Sequence, residues 1–334
     1  MKPKVYLIGG GLIGLYSAYA LTQKGAQAII IDQSTIGSEC STAAGGILSP
    51  LPPWNYPESL YEYLPAVSET YAQLAQQLQK DIQMDIEYQT CGMRIFCPQH
   101  ELAIGANWCQ QHQTHHLIEP NSLYLPDVAQ LNPSALVQAM HKKLIECGVE
   151  FMENTQVEAC HVKQGQLQGI NTSRGYLECE TLLWTTGAWA NRLSLQAGDI
   201  NAPNVRPIKG QMITFACPDI TLKEILYKDG HYLIPRKNGF IMAGSTLEDS
   251  GFDKSTTAAG LEALTQRSIQ LIPELANASI TAHWSGLRPY SDNNLPIVQA
   301  HSEVQGLYLN CGHHRYGICM APYSAEKITQ LILK

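Results

Sequence analysis

Three glycines near the start of the chain constrain its fold more than any other feature. Gly9, Gly11 and Gly14 form the pattern GxGxxG between an apolar run at residues 4–9 and a helical stretch. A second apolar run follows the helix and ends at Asp32. Strand, glycine turn, helix and second strand make one βαβ unit, which predicts a parallel sheet with helices on its faces.

The same residues predict a dinucleotide site, because each has a physical task there. Gly9 permits a tight turn, Gly11 lets the backbone approach a pyrophosphate, and Gly14 lets helix and strand pack closely. The helix N-terminus offers free N–H groups to phosphate oxygens, and Asp32 can accept hydrogen bonds from ribose hydroxyls. A chance glycine-rich turn is the alternative, but it does not explain the whole set. FAD and NAD share this pattern.

Composition narrows the class of protein. The 334 residues are enough for about two domains, 45% of them are apolar, and the net charge of -7 disfavours a nucleic-acid partner. The ten cysteines include no CxxC pair, so reduced thiols in a cytoplasmic protein are expected. No apolar run reaches membrane-spanning length. A signal peptide at the N-terminus is the weaker alternative, because the glycines interrupt its apolar run.

Periodicity predicts further elements along the chain. Helices are expected at residues 59–78, 133–148, around 263–272 and 318–333, strands at 149–162, 177–189 (broken at Gly187) and 307–311, and an antiparallel region at 209–247. Residues 82–130 have an irregular pattern.

Several segments together resemble one family. The segment IGSECSTAAGGILSPLPPWNYP (36–57) resembles the second signature of the D-amino-acid oxidase and glycine oxidase superfamily. The segments 209–215 (KGQMITF), 230–256, 283–298 (HWSGLRPYSDNNLPIV) and 311–322 (CGHHRYGICMAP) are also similar, in family order. The resemblance implies FAD rather than NAD, with the small residues 41–46 passing under the flavin ring.

The resemblance implies an α/β fold in which a Rossmann-like FAD-binding domain is interleaved with a smaller α+β substrate domain built on an antiparallel sheet. We assign residues 1–80, 135–205 and 283–334 to the FAD-binding domain. Residues 81–134 and 206–282 are assigned to the substrate-binding domain.

Fingerprint and resemblance together predict the residues that bind FAD. They are Gly9, Gly11, Leu12, Ile13, Gly14, Asp32, Gln33, Cys40, Ser41, Thr42, Ala43, Ala44, Gly45, Gly46, Ile47, Val157, Thr186, Gly187, Trp189, Gly286, His313, His314, Arg315, Tyr316, Gly317 and Ile318.

Four residues are predicted to contact the substrate. The resemblance places a substrate carboxylate on Arg288, where a guanidinium can form two parallel hydrogen bonds; a structural pair with Asp292 is the alternative. Tyr232 matches the family tyrosine whose hydroxyl faces the substrate. Leu247 matches an apolar pocket position that is methionine in some relatives. The resemblance also places Arg315 near the carboxylate, where a surface arginine is the alternative.

Two histidine groups invite a metal interpretation, at residues 112–116 (HQTHH) and 311–314. No set of converging ligands from several elements is evident, so no metal is predicted. Sarcosine oxidases attach flavin through a cysteine in the region of Cys311 and Cys319. The surrounding sequence CGHHRYG instead follows the glycine oxidase pattern, which implies noncovalent FAD.

The expected activity is oxidation of glycine, sarcosine or small D-amino acids by FAD and oxygen. The products would be an imino or keto acid, ammonia and hydrogen peroxide, and the resemblance links the reaction to thiamine biosynthesis. No side chain is assigned as acid or base, because the cofactor carries the chemistry. A D-amino-acid dehydrogenase with a carrier or quinone and a non-catalytic flavin-binding subunit remain alternatives. A homo-oligomer is possible.

Overall fold

The computed structural model describes residues 2–64, 66–192, 194–195, 202–292 and 294–334. Strands are numbered along the chain: β1 (Lys4–Ile8), β2 (Gln27–Ile31), β3 (Gln89–Thr90), β4 (Met93–Phe96), β5 (Leu117–Glu119), β6 (Ser122–Leu125), β7 (Ala129–Gln130), β8 (Glu150–Met152), β9 (Val157–Lys163), β10 (Gln166–Thr172), β11 (Gly175–Glu178), β12 (Leu182–Trp184), β13 (Ser194–Leu195), β14 (Val205–Ala216), β15 (Ile225–Lys228), β16 (His231–Pro235), β17 (Phe240–Gly244), β18 (Ser279–Ser291), β19 (Ile297–Ala300) and β20 (Leu307–Cys311).

Helices are numbered in the same way: α1 (Leu12–Gln23), α2 (Cys40–Ala43), α3 (Val67–Ile82), α4 (Gln99–Gln111), α5 (Pro133–Glu146), α6 (Ala258–Leu271) and α7 (Gly317–Ile332). Short 3-10 segments lie at Pro53–Asn55, Glu58–Tyr63, Gly187–Arg192, Lys237–Gly239 and Pro273–Asn277. No helix of the described residues is long and apolar enough to cross a membrane.

A six-stranded sheet carries the glycine turn. Its strand order is β19-β20-β12-β1-β2-β8, with β19 antiparallel to β20 and the other pairs parallel. Strands β1 and β2 are continuously apolar after their first residue, as expected for strands covered on both faces. Residues of α1, α3, α5 and α7 bury one face of this sheet. On the other face, Tyr6, Ile29 and Trp184 pack with residues of β9 and β10.

An eight-stranded sheet of order β18-β14-β17-β16-β15-β4-β6-β5 forms a second layer. Strands β14 to β18 pair antiparallel, and the long pair β14–β18 extends from Val205 opposite Ser291 to Ala216 opposite Ser279. A four-stranded sheet has the order β11-β10-β9-β13, and β3 pairs with β7. This arrangement confirms the predicted α/β fold with a Rossmann-like parallel sheet and an antiparallel sheet. The division into domains stays a prediction, and its boundary at residue 282 falls within β18.

Four local predictions differ from the structure. The helix predicted at 59–78 is instead a 3-10 segment followed by α3, because Ala66 has a left-handed backbone with φ of 45°. The strand predicted at 149–162 divides into β8 and β9, which belong to different sheets. The strand predicted at 177–189 contains only β12 and the end of β11. The irregular region 82–130 contains α4 and five short strands.

Candidate functional site

One cavity runs along the carboxyl ends of β1, β2 and β12 and continues to the face of the eight-stranded sheet. At one end it is lined by Asp32 and Gln33, and at the other by Tyr232 and Arg288. Ligands of open α/β sheets bind at the carboxyl ends of the strands, so the location suits a long cofactor with a substrate at its far end.

The glycine turn is held by close backbone contacts. Gly9 has a φ of 106°, and its N–H donates to the carbonyl of Ile31 at 2.8 Å. A Cβ on Gly14 would lie 2.0 Å from the carbonyl oxygen of Gly9 and 3.0 Å from Oγ1 of Thr185. The Thr185 hydroxyl donates to Ile8 and Gly9, which joins β12 to the turn. Only glycine at position 14 allows α1 to approach the turn this closely.

Asp32 follows β2 directly and lies at the turn. One carboxylate oxygen accepts from the N–H of Gly10 at 2.7 Å and the other from the N–H of Ser34 at 2.8 Å. Burial raises the pKa of Asp32, and these two donors oppose that shift. A carboxylate has about four lone-pair sites, so it retains acceptor capacity for ribose hydroxyls.

The loop after β2 lies along the cavity with small side chains. Its Ser41 hydroxyl accepts from the N–H of Leu12 at 2.8 Å, and the Trp284 indole donates to the carbonyl of Ala43 at 3.1 Å. Gly46 has a φ of 75°, and a Cβ there would lie 2.1 Å from the carbonyl oxygen of Leu131. The loop therefore has a fixed path and presents a flat surface to the cavity.

Two helix N-termini open onto the cavity, those of α1 and α7. Neither first turn carries an acidic residue, and neither N-cap side chain satisfies the free N–H groups. Both therefore offer positive potential to anionic groups of a ligand. His314 lines the cavity with both ring nitrogens buried and without a hydrogen-bond partner among the described residues. The cavity thus fits FAD. Asp32 suits a ribose, the glycine turn suits a pyrophosphate, and the helix N-termini and the His314 ring offer polar groups without a partner in the described chain.

Arg288 occupies the far end of the cavity. One amino group donates to Oγ of Ser245 at 2.7 Å and the other to the carbonyl of Thr246 at 3.3 Å. Burial lowers the pKa of Arg288, and the neighbouring charge of Arg315 lowers it further. Asp292, the alternative partner, accepts from Asn204 instead. In the described parts of the chain neither Arg288 nor Arg315 forms an ion pair with a carboxylate.

The surroundings of Arg288 are compact and mostly apolar. Tyr232 lies beside it on β16. Its hydroxyl donates to the thioether sulfur of Met212 at 3.8 Å, which is a weak acceptor. Leu51 lines the cavity, and its carbonyl accepts from the hydroxyls of Tyr56 and Tyr227, each at 3.3 Å. A buried cation, an available phenol and apolar walls suit a small substrate with one carboxylate.

Gly210 gives the guanidinium of Arg288 its space. A Cβ at Gly210 would lie 2.1 to 2.4 Å from three guanidinium atoms, so Gly210→Ala must displace the Arg288 side chain. We expect a rise in KM of about tenfold for a carboxylate substrate, because one charge-assisted hydrogen bond is worth about 1.5 kcal/mol. Steady-state kinetics of the purified variant measure it. An unchanged KM would show that the position of Arg288 is immaterial.

Most residues predicted to bind FAD line the cavity. They are Gly9, Gly11, Leu12, Ile13, Asp32, Gln33, Cys40, Ser41, Ala43, Ala44, Gly45, Gly46, Ile47, Val157, Thr186, Gly187, Trp189, Gly286, His314, Arg315, Tyr316, Gly317 and Ile318.

The structure places four predicted residues elsewhere. Gly14 packs behind the turn, and the Thr42 hydroxyl donates to the carbonyls of Gly37 and Glu39. The ring of His313 is buried 3.1 Å from Oγ of Ser324, and burial lowers its pKa to about 3. Leu247 is 61% exposed and is not among the described residues that line the cavity, so its contact with a substrate stays a prediction.

Gly210, Met212 and Leu51 line the cavity although the sequence did not single them out. The first two lie on β14 two residues apart, on one face of the strand. Gly210 faces Gly286 in the register of β14 and β18. Two glycines opposite each other in neighbouring strands could have signalled that other groups approach the sheet closely, and these groups are Arg288 at Gly210 and Ala43 at Gly286.

Comparisons with known proteins agree with the cavity. The sequence model of the family described as DAO, FAD dependent oxidoreductase, matches residues 4–331. Glycine oxidase of Pseudomonas putida is 34% identical, covering 99% of this chain and 95% of that protein. The bifunctional protein ThiO/ThiG of Nostoc sp. is 30% identical over 100% of this chain but only 53% of its own length. The structure of glycine oxidase from Geobacillus kaustophilus matches with a TM-score of 0.91 at 24% identity, covering 99% of this chain and 95% of that one, and at this identity it shows a shared fold.

Proposed function

Because the chain belongs to the DAO family of FAD-dependent oxidoreductases, we propose that it oxidises glycine and other small amino acids or amines such as sarcosine. The observation that carries this proposal is the pair of guanidinium groups, Arg288 and Arg315, that line the cavity without a carboxylate partner in the described chain. A substrate carboxylate would supply the missing negative charge. The glycine oxidase relatives support the choice of substrate class.

The protein positions the substrate in this proposal. When bound, FAD would supply the redox chemistry by which two electrons and a hydrogen leave the substrate α-carbon, with oxygen as the final electron acceptor. Arg288 holds the carboxylate, and the Tyr232 hydroxyl beside it donates to the same group or accepts from the amine. Met212 and Leu51 exclude water and limit substrate size. The imino acid formed would hydrolyse to a keto acid and ammonia, with hydrogen peroxide as the other product.

The residues that would hold FAD follow from the cavity. Asp32 would bind the adenosine ribose, the N-terminus of α1 the pyrophosphate, and residues 43–47 one face of the ring. Burial raises the pKa of the Cys40 thiol and raises that of Cys319 to about 12, so both stay protonated and poorly nucleophilic. This supports noncovalent FAD. The family resemblance links an imine product to thiazole formation in thiamine synthesis, which we include in the proposal.

Anaerobic mixing of the yellow holoenzyme with glycine, sarcosine, D-alanine and D-proline tests the proposal. We expect the visible flavin absorbance to be lost within about a second with at least glycine or sarcosine, since typical turnover numbers are about 10 per second. Persistence of the colour with all four compounds would refute it. Peroxide formation in air then separates an oxidase from a dehydrogenase that uses a carrier.

The pH dependence of kcat/KM should report the substrate amine. Burial lowers the pKa of His314 to about 3, and a histidine with a lowered pKa is neutral above it, so its charge does not change between pH 6 and 9. The same holds for His231, whose pKa is about 4. Oxidation needs the unprotonated amine, so kcat/KM for glycine should rise about tenfold per pH unit below the amine pKa. A flat profile between pH 6 and 9 would contradict this.

A further inference from the structure

A second cavity lies behind the loop formed by residues 43–47. Ala43, Ala44 and Gly286 line both cavities, so this partition is one residue thick. The second cavity is lined on its other side by Arg236 and Trp284. Both side chains donate hydrogen bonds to loop carbonyls, Trp284 to Ala43 and Arg236 to Gly45. The loop is therefore held from the side opposite the cofactor cavity.

Arg236 makes an unusual set of contacts for a largely buried guanidinium. Besides Gly45, it donates to the carbonyl of Leu131 at 2.8 Å, to Oε1 of Gln130 at 2.7 Å and to Sδ of Met242 at 3.0 Å. These four acceptors belong to the loop, to residues 130–131 and to β17, and all are neutral. Because the planar guanidinium fork reaches these four acceptors in three directions, the three donors of a lysine ammonium could not replace it.

Arg236 forms no direct ion pair within the described chain, and the Glu87 carboxylate, which lines the same cavity, acts on its charge only at longer range. The other two cations that line the second cavity are paired: Lys254 contacts Glu39 at 2.9 Å and Lys237 contacts Asp85 at 2.7 Å. Burial lowers the pKa of Arg236 to about 10, so it keeps its charge at neutral pH. A buried, unpaired charge is costly, and it persists where neighbouring groups or a ligand gain from it.

We propose that Arg236 is a positioning residue with two effects: it fixes the loop against which the flavin ring would lie, and it places a positive charge on the far side of that loop. A Cβ on Gly45 would lie 2.9 Å from Ile234 and 3.3 Å from Tyr232, so the loop also adjoins the substrate pocket. Reduction by two electrons adds negative charge to the flavin, which a nearby cation stabilises. Arg236 therefore raises the reduction potential of bound FAD and strengthens its binding.

The inference rests on FAD binding in the proposed function but not on the substrate. The test measures the midpoint potential of the bound flavin with reference dyes and the FAD dissociation constant, both without substrate. Failure of glycine as a substrate would therefore leave these readouts interpretable.

Four variants separate the two effects. In Arg236→Met we expect the preference for reduced over oxidised flavin to fall about tenfold, a shift of about -30 mV for a two-electron couple. Arg236→Lys and Trp284→Phe keep the charge but lose loop contacts, so FAD binding should weaken at least about threefold, with the potential near that of wild type. Lys237→Gln, which removes the neighbouring exposed cation, should change neither quantity.

Three results would overturn the inference, and two of them concern Arg236 itself. One is a folded Arg236→Met protein whose potential equals that of wild type. The other, which applies even if the methionine variant does not fold, is an Arg236→Lys protein that binds FAD as tightly as wild type. A shift of the flavin potential in Lys237→Gln as large as that in Arg236→Met would also contradict it. The potential would then depend on the overall charge of this region and not on the position of Arg236.

Discussion

Replacing Arg288 with methionine should raise KM for glycine on the order of a hundredfold or more. The variant loses a guanidinium that can form two charge-assisted hydrogen bonds to the carboxylate, worth about 3 kcal/mol together. The arginine is buried and donates to Ser245 and Thr246, both neutral, so methionine fills similar space without leaving a charge unpaired. FAD content should stay unchanged, and the melting temperature should not fall, because an unpaired buried charge is removed.

Arg206→Met is a matched control for this experiment. Arg206 lies on β14, and its exposed side chain pairs with Asp249. Arg206 is not among the described residues that line the cavity, and its exposed ion pair contributes only about 0.2 to 1 kcal/mol to stability, so the substitution should leave KM within about twofold. A primary amine without a carboxylate provides a second control. Because it cannot bind the Arg288 guanidinium through a carboxylate, wild type and Arg288→Met should oxidise it equally slowly. If Arg288→Met oxidises glycine with the KM of wild type, the carboxylate is bound elsewhere.

Gly14→Ala should yield a protein that no longer retains FAD. The new Cβ would lie 2.0 Å from the carbonyl oxygen of Gly9, a contact that forces α1 away from the glycine turn. The N–H groups at the start of α1 then move out of reach of the pyrophosphate, and the loss of several such bonds costs about 1 kcal/mol each or more. We expect the purified variant to be colourless and to bind added FAD at least about a hundredfold more weakly.

Gly25→Ala separates this collision from ordinary backbone strain. Gly25 follows the end of α1 with a φ of 83°, and a Cβ there would meet no atom within 4 Å. Its substitution should lower the free energy of unfolding by about 1 kcal/mol while the protein remains yellow. Circular dichroism must show that Gly14→Ala is folded. A folded Gly14→Ala protein with full FAD content would contradict the assigned packing role.

The sequence was most informative where a local pattern has one physical solution. The glycines of the turn, Asp32 and the apolar strands around them predict the βαβ unit, because close packing and a phosphate both require that spacing. The family resemblance selects Arg288, because the chemistry of a guanidinium alone leaves a structural pair with Asp292 equally open. The resemblance also shows that the similar segments follow one another in the order of the family, which periodicity alone cannot show.

Other parts of the fold depend on contacts between distant segments. Helix α4 buries only Leu102, Gly105 and Cys109, so its apolar stripe is too sparse to identify from periodicity. The small strand β4 forms because it lies between β15 and β6, which are remote in sequence. Pairing across such distances leaves little signal within any one segment.

Side-chain direction explains the two clearest differences at the site. The hydroxyl of Thr246 accepts from the N–H of Gln211 and contacts Glu248, so the next side chain, Leu247, points away from this network into solvent. His313 and His314 are adjacent, but only His314 lines the cavity, since a φ of 46° at that residue turns its ring toward Tyr290. Such turns cannot be inferred from residue type.

A crystal structure of the holoenzyme with glycolate would show directly where the substrate carboxylate binds. Glycolate has the carboxylate of glycine with a hydroxyl in place of the amine, so it should bind without being oxidised as an amine. We expect its two carboxylate oxygens to lie within about 3 Å of the Arg288 guanidinium, with the hydroxyl toward the flavin. Glycolate bound with its carboxylate away from Arg288, while that guanidinium contacts only Ser245 and Thr246, would contradict the account.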